Sequence, residues 1–428
     1  MRWMYLVVAS AFTVAPISAQ APGLSLAEAY ARMERHNPRA DAAAARVAAA
    51  RARIGPASRW PDPAIQFSLM NRNLPGFGLN DPLGMNQVQV MQMIPIAGKT
   101  GFAVRAARAD AEAEQASAEE TSWEVRSRVA MAFYDLYLAD QSFATMTVSR
   151  RLLTDALHAS EAMYGQGRGK QTDVLRAQVE LARMDEELIR MRAMRDAMRA
   201  RLDAMTGARG DSAEVAPMLP RFPDSLPPRD SLERLALSHR PMLAAGAARI
   251  RAADALTRRA GREIWPDLTV GFIYGQRPMP DGGTDRMLSL MFGFTLPISP
   301  GSRQRQMQAE AQAEQAMSVA DLMDLEGETR ARIAELAADL ERAGSLRTLY
   351  RTTLLPELQA SAAAAEAGYR AGSTDFMTML ESRMAWSRAT QELARFDADT
   401  GKALAELEML TVTTLVDPAS SAETGGSR

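Results

Sequence analysis

The sequence has no cysteine. That excludes disulfides, iron–sulfur clusters, thiolate zinc sites, a cysteine nucleophile and a lipidated cysteine anchor. Its three histidines, His36, His158 and His239, are far apart and show no metal-ligand spacing. Aromatic residues make up only 6%, while Ala, Met, Arg and Glu dominate, a composition of long helices rather than of an all-β domain. Neither charge sign is in excess: 50 Lys+Arg against 52 Asp+Glu give −2, so a polybasic nucleic-acid binder is excluded. Beyond the N-terminus there is no run of about 18 apolar residues, so no transmembrane helix is predicted. Nucleophile motifs of the G-x-S-x-G type are missing too. No catalytic, cofactor-binding or metal site is expected.

With 47% hydrophobic and 24% charged residues, the 428-residue chain is expected to fold. Residues 1–19 read as a cleaved secretory signal: Arg2, a short apolar core, then Pro16-Ile17-Ser18-Ala19. The core is too short to span a bilayer as a helix. Cleavage is expected after Ala19, with Ala21 as the alternative.

The rest says most things twice. His36-Asn37-Pro38 aligns with His239-Arg240-Pro241, and Trp60-Pro61-Asp62 with Trp265-Pro266-Asp267. Ile94-Pro95-Ile96 aligns with Leu296-Pro297-Ile298, and Tyr164 with Tyr369, every offset falling between 202 and 205 residues. Ordered anchors of this kind define a tandem repeat. The first copy is expected over residues 20–207 and the second over 230–412, with a Pro-rich linker at 208–229 and a disordered tail at 413–428. Each copy reads as a helix, two strands, a very long helix and a return helix. The strands are expected near 64–72, 86–95, 267–275 and 287–297, and the long helices near 99–164, 172–206, 303–369 and 375–411.

Positions 125, 129, 132, 136, 139, 143, 146, 150, 153 and 157 alternate spacings of four and three, and all but Arg150 are apolar. That 3.5-residue period predicts coiled-coil packing. A helix over 99–164 would be roughly 100 Å long, a length suited to crossing a wide gap. In the strands, Leu268, Val270, Phe272 and Tyr274 alternate with Thr269, Gly271, Ile273 and Gly275. Leu288, Leu290, Phe292, Phe294 and Leu296 do the same, and Ile65, Phe67 and Leu69 repeat the pattern in the first copy. After Val88 and Val90, Met91-Gln92-Met93 reads as a shift of phase. Apolar alternation over about ten residues marks transmembrane β-barrel strands, with loops expected at 71–86 and 276–286. Four strands cannot close a barrel and open edges are not tolerated in lipid, so several copies must share one; eight strands from two chains would be filled by their own side chains, whereas twelve from three would leave a channel.

Over roughly residues 24–412 the sequence resembles the TolC-like outer-membrane efflux proteins. The resemblance rests on the duplication, on Ile94-Pro95 followed by Gly98-Lys99, and on two motifs at the helix ends. One is Tyr164-x-x-Gly167 with Thr172-Asp173-Val174-Leu175 and Ala177-Gln178; the other is Tyr369-x-x-Gly372-Ser373 with Met379-Leu380-Glu381. It implies a mainly α chain with a small transmembrane β part. Three copies would form a twelve-stranded barrel in the outer membrane, continued by a helical tunnel through the periplasm. It also implies a periplasmic adaptor and an inner-membrane pump of RND or ABC type as partners, outer-membrane lipid around the barrel, and no catalysis.

The resemblance places a gate at the periplasmic tip. Asp173, beside Thr172, matches the acidic partner on the first-copy helix, Tyr369 the tyrosine that ties to it, and Glu381 an acid of the rings narrowing the mouth. Thr374 stands where an arginine clamp is common and Thr378 where another acid stands. The turns Gly165-Gln166-Gly167-Arg168 and Ala371-Gly372-Ser373 are the expected adaptor-docking sites. The glycine-rich 165–170 segment lacks Walker spacing and follows a helix, so it reads as a tight hairpin and not as a phosphate loop. Twenty-seven methionines are compatible with soft-metal export through Cu(I) or Ag(I) thioether contacts, or with plain flexible core filling. Drug or metal efflux, a type I secretion channel for polypeptides and a non-conducting periplasmic coiled-coil adaptor remain the functional readings.

Overall fold

The computed structural model describes residues 23–71, 84–207, 215–279, 281–296 and 298–419. The expected signal peptide, most of the 71–86 loop, the start of the linker and residues 420–428 lie outside them.

Each copy opens with two helices where one was expected: α1 (Leu26–Arg35) and α2 (Pro38–Ala57), then α5 (Arg229–His239) and α6 (Pro241–Gly261). Proline is the reason. It disfavours a helical residue before it yet suits the first helical position, so Pro38 and Pro241 end one helix and begin the next. Asn37 secures the restart by accepting from the Arg39 and Ala40 N–H groups at 3.0 and 3.3 Å.

Four strands follow: β1 (Ala64–Met70), β2 (Met85–Ile94), β3 (Leu268–Pro278) and β4 (Thr284–Phe294). They form one antiparallel sheet in the order β1-β2-β3-β4, so the two copies meet at β2–β3. Rows of side chains run across it. Phe67, Val88, Tyr274 and Leu288 form one apolar row, and Ile65, Val90, Phe272 and Leu290 the next. All eight are exposed in the single chain. The other face carries rows such as Gln66, Gln89, Ile273 and Ser289. The expected phase shift after Val90 does not occur, since pairing runs unbroken from Asn86↔Gln276 to Ile94↔Leu268. Met91 and Met93 stay on the polar face; Gln92 falls on the apolar one, at its end, and donates to the carbonyls of Pro61 and Met93. The β3–β4 loop is shorter than expected, because pairing continues to Pro278↔Thr284.

At the end of β2 the chain turns through two left-handed residues, Ala97 (φ 59°) and Gly98 (φ 75°), into α3 (Lys99–Gly165), 67 residues without interruption. Lys99 is buried there, its ammonium bonding Asp267 and the Trp265 carbonyl at 2.9 Å, with Glu263 at 3.3 Å. It thereby pins the first copy's long helix to the second copy's strand entry. Helix α4 (Gln171–Thr206) returns along α3. The coiled-coil stripe lies inward: Val125, Val129, Ala132, Leu136 and Ala139 are all buried. Arg150, its one charged member, meets Asp185 of α4.

The second copy's outgoing helix, expected over 303–369, is not uniform. A π-helical turn at Pro300–Gln304 leads into α7 (Arg305–Leu349), a second at Tyr350–Leu354 into α8 (Leu355–Arg370), and α9 (Phe376–Thr411) returns. The π turns account for two of the three residues by which the repeat offset grows beyond Pro297. Pro95 and Pro297 are 202 apart. The buried stripe Thr329, Ile333, Leu336, Leu340 and Ala343 follows its counterpart 125–139 at 204, and Tyr369 follows Tyr164 at 205. One extra residue sits between Pro297 and Gly301, and each π turn, being an i→i+5 winding, holds one more. The second π turn also precedes Pro356, whose ring would clash with the Thr352 carbonyl in a regular helix.

Two apolar clusters occupy the middle of the molecule, where the linker from Val215 onward is laid down with Phe222 against Tyr134. Of the tail expected to be disordered, residues 413–419 are ordered. Val416 is buried, because the Glu408 carboxylate accepts the N–H groups of Leu415 and Val416 at 2.7 and 2.8 Å. Burial nevertheless raises the pKa of Glu408, against these bonds and Arg126.

Candidate functional site

A third apolar cluster joins the far ends of α3, α4, α8 and α9 in a four-helix tip. Tyr369 and Phe376 meet edge to face, their centroids 5.8 Å apart, and pack with Ala177 and Met184 of α4. Behind them a buried hydrogen bond of 2.9 Å links Ser149 on α3 to Ser387 on α9.

The two turns closing the tip share one hydrogen-bond scheme. In the first, the Met163 carbonyl accepts from Arg168 and Gly169, both at 2.9 Å. In the second, the Gly368 carbonyl accepts from Ser373 and Thr374 at 2.9 and 3.2 Å. Gly167 (φ 70°) and Gly372 (φ 74°) occupy the left-handed position that each turn requires. The candidate docking residues Gly165, Gln166, Gly167, Arg168, Ala371, Gly372 and Ser373 are all exposed.

Asp173 and Tyr369 are brought together across the two copies. The Tyr369 pKa is raised, first by burial and then by the Asp173 carboxylate. Among the described residues no hydrogen bond joins the pair. Thr172 and Glu381 are exposed, on α4 and α9. Thr374 is half-buried in its turn, and Thr378 gives its N–H to Asp375 at 2.8 Å. Those backbone bonds, with Lys170 nearby, hold the Asp375 carboxyl below the usual carboxylate range.

Asp375 and Lys170 were missed in the sequence. Asp375 caps α9, whereas Lys170, 205 residues earlier, leads α4 without a side-chain cap. An Asp-x-x-Thr spacing before a helix was the available signal.

A family model described as "Outer membrane efflux protein" matches residues 29–208 and again residues 232–411, once per copy and together well over half of the chain. The chain belongs to the outer membrane efflux protein family. The fold is also that of solved outer-membrane proteins. The outer membrane protein VceC of Vibrio cholerae is 17% identical, with a TM-score of 0.76 over 90% of this chain and 95% of that one. The Campylobacter jejuni outer membrane channel CmeC is 14% identical, with a TM-score of 0.72 over 95% and 93%. The Neisseria gonorrhoeae outer membrane channel MtrE, solved in an open state, is 14% identical, with a TM-score of 0.75 over 91% and 89%. At such identities the likeness carries the fold alone. No curated protein sequence gives a significant match.

The family is thus that of outer-membrane efflux proteins, and the fold is that of outer-membrane channels. No helix among the described residues is long and apolar enough to cross a membrane, and no group of His, Asp and Glu is placed to hold a metal ion. The surface with membrane chemistry is the apolar face of the sheet.

Proposed function

We propose that three copies close into one ring: twelve strands in the outer membrane, continued by their helices as a periplasmic tunnel. The assembly is the exit duct of a tripartite efflux pump for small molecules or metal ions. The observation that carries this is the sheet. It has an apolar, exposed face of lipid-facing character, and its terminal strands β1 and β4 each offer an edge for another chain. An open edge in hydrocarbon leaves several backbone groups unsatisfied, at several kcal/mol each. The 67-residue helix beneath, roughly 100 Å long, supplies the reach across the periplasm.

The tip is the gate. Asp173 and Tyr369 latch the first copy's helices to the second's, and three Glu381 side chains around the axis draw cations. The paired turns at 165–168 and 371–373 receive a periplasmic adaptor, which links the duct to an inner-membrane pump of RND or ABC type. Single-channel recording in planar bilayers tests this. The wild type is expected to give small, cation-selective openings, and Asp173→Ala/Tyr369→Phe larger ones. Unchanged openings would discard the latch, and absent conductance from folded protein would discard the channel.

A further inference from the structure

The sheet sorts its methionines by face. Its four strands contain six of them, Met70, Met85, Met91, Met93, Met287 and Met291. The register puts all six on the polar face and none on the apolar one. Their neighbours there include Gln66, Gln87, Gln89, Thr269 and Ser289. A plain apolar filler belongs with Phe272 and Leu290 on the opposite face. At the tip, by contrast, Met184 and Met379 are buried among apolar side chains, where flexible filling accounts for them in full.

Four of the six converge in pairs on two glycines of β3. Met91 and Met291 are the register partners of Gly271, one on each adjacent strand. A Cβ on that glycine would lie 3.4 Å from Met91 Cγ and 3.2 Å from Met291 Cε, so both side chains lean over it. Gly275 repeats the arrangement. Met287 is its partner on β4, and Met85 reaches in diagonally from β2, its sulfur 3.4 Å from where a Cβ would lie. Both glycines are buried and all four methionines half-buried. Glycine inside a strand lets another group come close to the backbone, and here that space holds thioethers. The Cα atoms of Met91 and Met291 are two strand spacings apart, roughly 10 Å, a gap that two methionine side chains can close around one ion. The Gln87 amide donates to the Met85 sulfur at 2.7 Å, so that sulfur presents a lone pair to the polar face.

Charge gives a hard cation little hold on this face. Its charged strand residues are Arg277 and Asp285, which face each other in register beyond Gly275. Thioether sulfur is a neutral, soft donor that selects Cu(I) and Ag(I) over Na⁺, K⁺ and Mg²⁺. We infer that Met91 with Met291, and Met85 with Met287, form two successive sites for a soft monovalent metal ion on the wall of the barrel lumen. Gly271 and Gly275 are four residues apart, so the sites follow each other at about 13 Å along the strand. Conduction needs several sites, each weak enough to release its ion, and two neutral donors hold less firmly than a full cage. This rests on the ring proposed above, which turns the polar face into the lumen, and it names the cargo as a soft metal ion.

Silver nitrate in chloride-free buffer is the probe. In planar bilayers carrying a potassium nitrate current, silver is expected to reduce wild-type conductance several-fold. Met85→Leu/Met91→Leu/Met287→Leu/Met291→Leu keeps side-chain volume. It should pass the same potassium current and need about tenfold more silver for the same block, since leucine offers no soft donor. Met184→Leu/Met379→Leu, at the tip, should stay as sensitive as wild type. Equilibrium dialysis of the full chain in detergent needs no channel. There each pair replaced should lower bound silver by one ion per chain, the histidines and other methionines being common to all the proteins compared. Open channels that silver blocks equally with and without the four methionines, or equal silver binding, overturn the sites and leave the channel standing. Folded protein that does not conduct, yet loses one silver ion per pair replaced, overturns the channel and keeps the sites.

Discussion

The two turns at the tip solve one problem with opposite residues. The backbone scheme is the same in both, and it brings position 163 or 368 against position 169 or 374. Only one of the two can carry a side chain. The first turn places Met163 against Gly169, where a Cβ on the glycine would lie 2.9 Å from the Tyr164 nitrogen. The second places Gly368 against Thr374, where a Cβ on the glycine would run into the threonine hydroxyl. The helix starts that follow differ in the same manner: Lys170 then Asp173 in one copy, Asp375 then Thr378 in the other. Duplication preserved the contacts and let the residues trade places. The position that resembles a lost arginine clamp, Thr374, therefore has a local role in its own turn.

Substituting the same residue type into both copies tests how far this holds. The largest effect is expected at Gly401, whose missing side chain leaves room for the buried Tyr134 ring. Gly401→Ala should cost about 3 kcal/mol by overpacking, whereas Asp196→Ala, at the exposed counterpart, should stay within about 0.5 kcal/mol; denaturant midpoints compare them. Next comes Gly368→Ala, expected to cost about 2 kcal/mol. Adding Thr374→Gly should recover most of it, converting the second turn to a small-residue pair, and thermal melts would show the recovery. The smallest is Lys170→Ser, an uncharged cap for α4 that sets no second carboxylate beside Asp375; it should gain less than about 1 kcal/mol, since the attraction between Lys170 and Asp375 is given up.

The cap also predicts a pH effect. Asp375 has a lowered pKa when folded, so its contribution is present above the unfolded carboxylate's pKa and is lost as pH falls through the lowered one. Melting curves of wild type and Asp375→Asn should differ near neutrality and converge in strong acid.

Much of this was legible in the sequence. The coiled-coil stripe from Val125 to Ala139, the strand alternation at Phe272 and Leu290 and the Trp-Pro-Asp anchors all reflect strict periods or fixed junctions, which a sequence displays directly. What escaped depends on atoms meeting across the fold. The π turns could not be located, because an offset drifting from 202 to 205 says that residues were added but not which winding holds them. The order of residues 413–419 follows from Glu408 accepting two N–H groups seven and eight residues later, for which there is no pattern. At the tip, Asp173 and Tyr369 came from resemblance, and the physical reason for their meeting, the packing of Tyr369 on Phe376 over Ala177, appears only in three dimensions.

The π turns have an evolutionary side. One residue inserted into a regular helix rotates everything beyond it by about 100°, which would swing an apolar stripe off its partner. A wider turn absorbs the insertion where it occurs and leaves the phase downstream intact. Twin halves can then gain residues independently and still arrive in step at the same end, as Tyr164 and Tyr369 do. Such turns act as expansion joints, letting the halves of a long duplicated protein drift in length without losing their alignment.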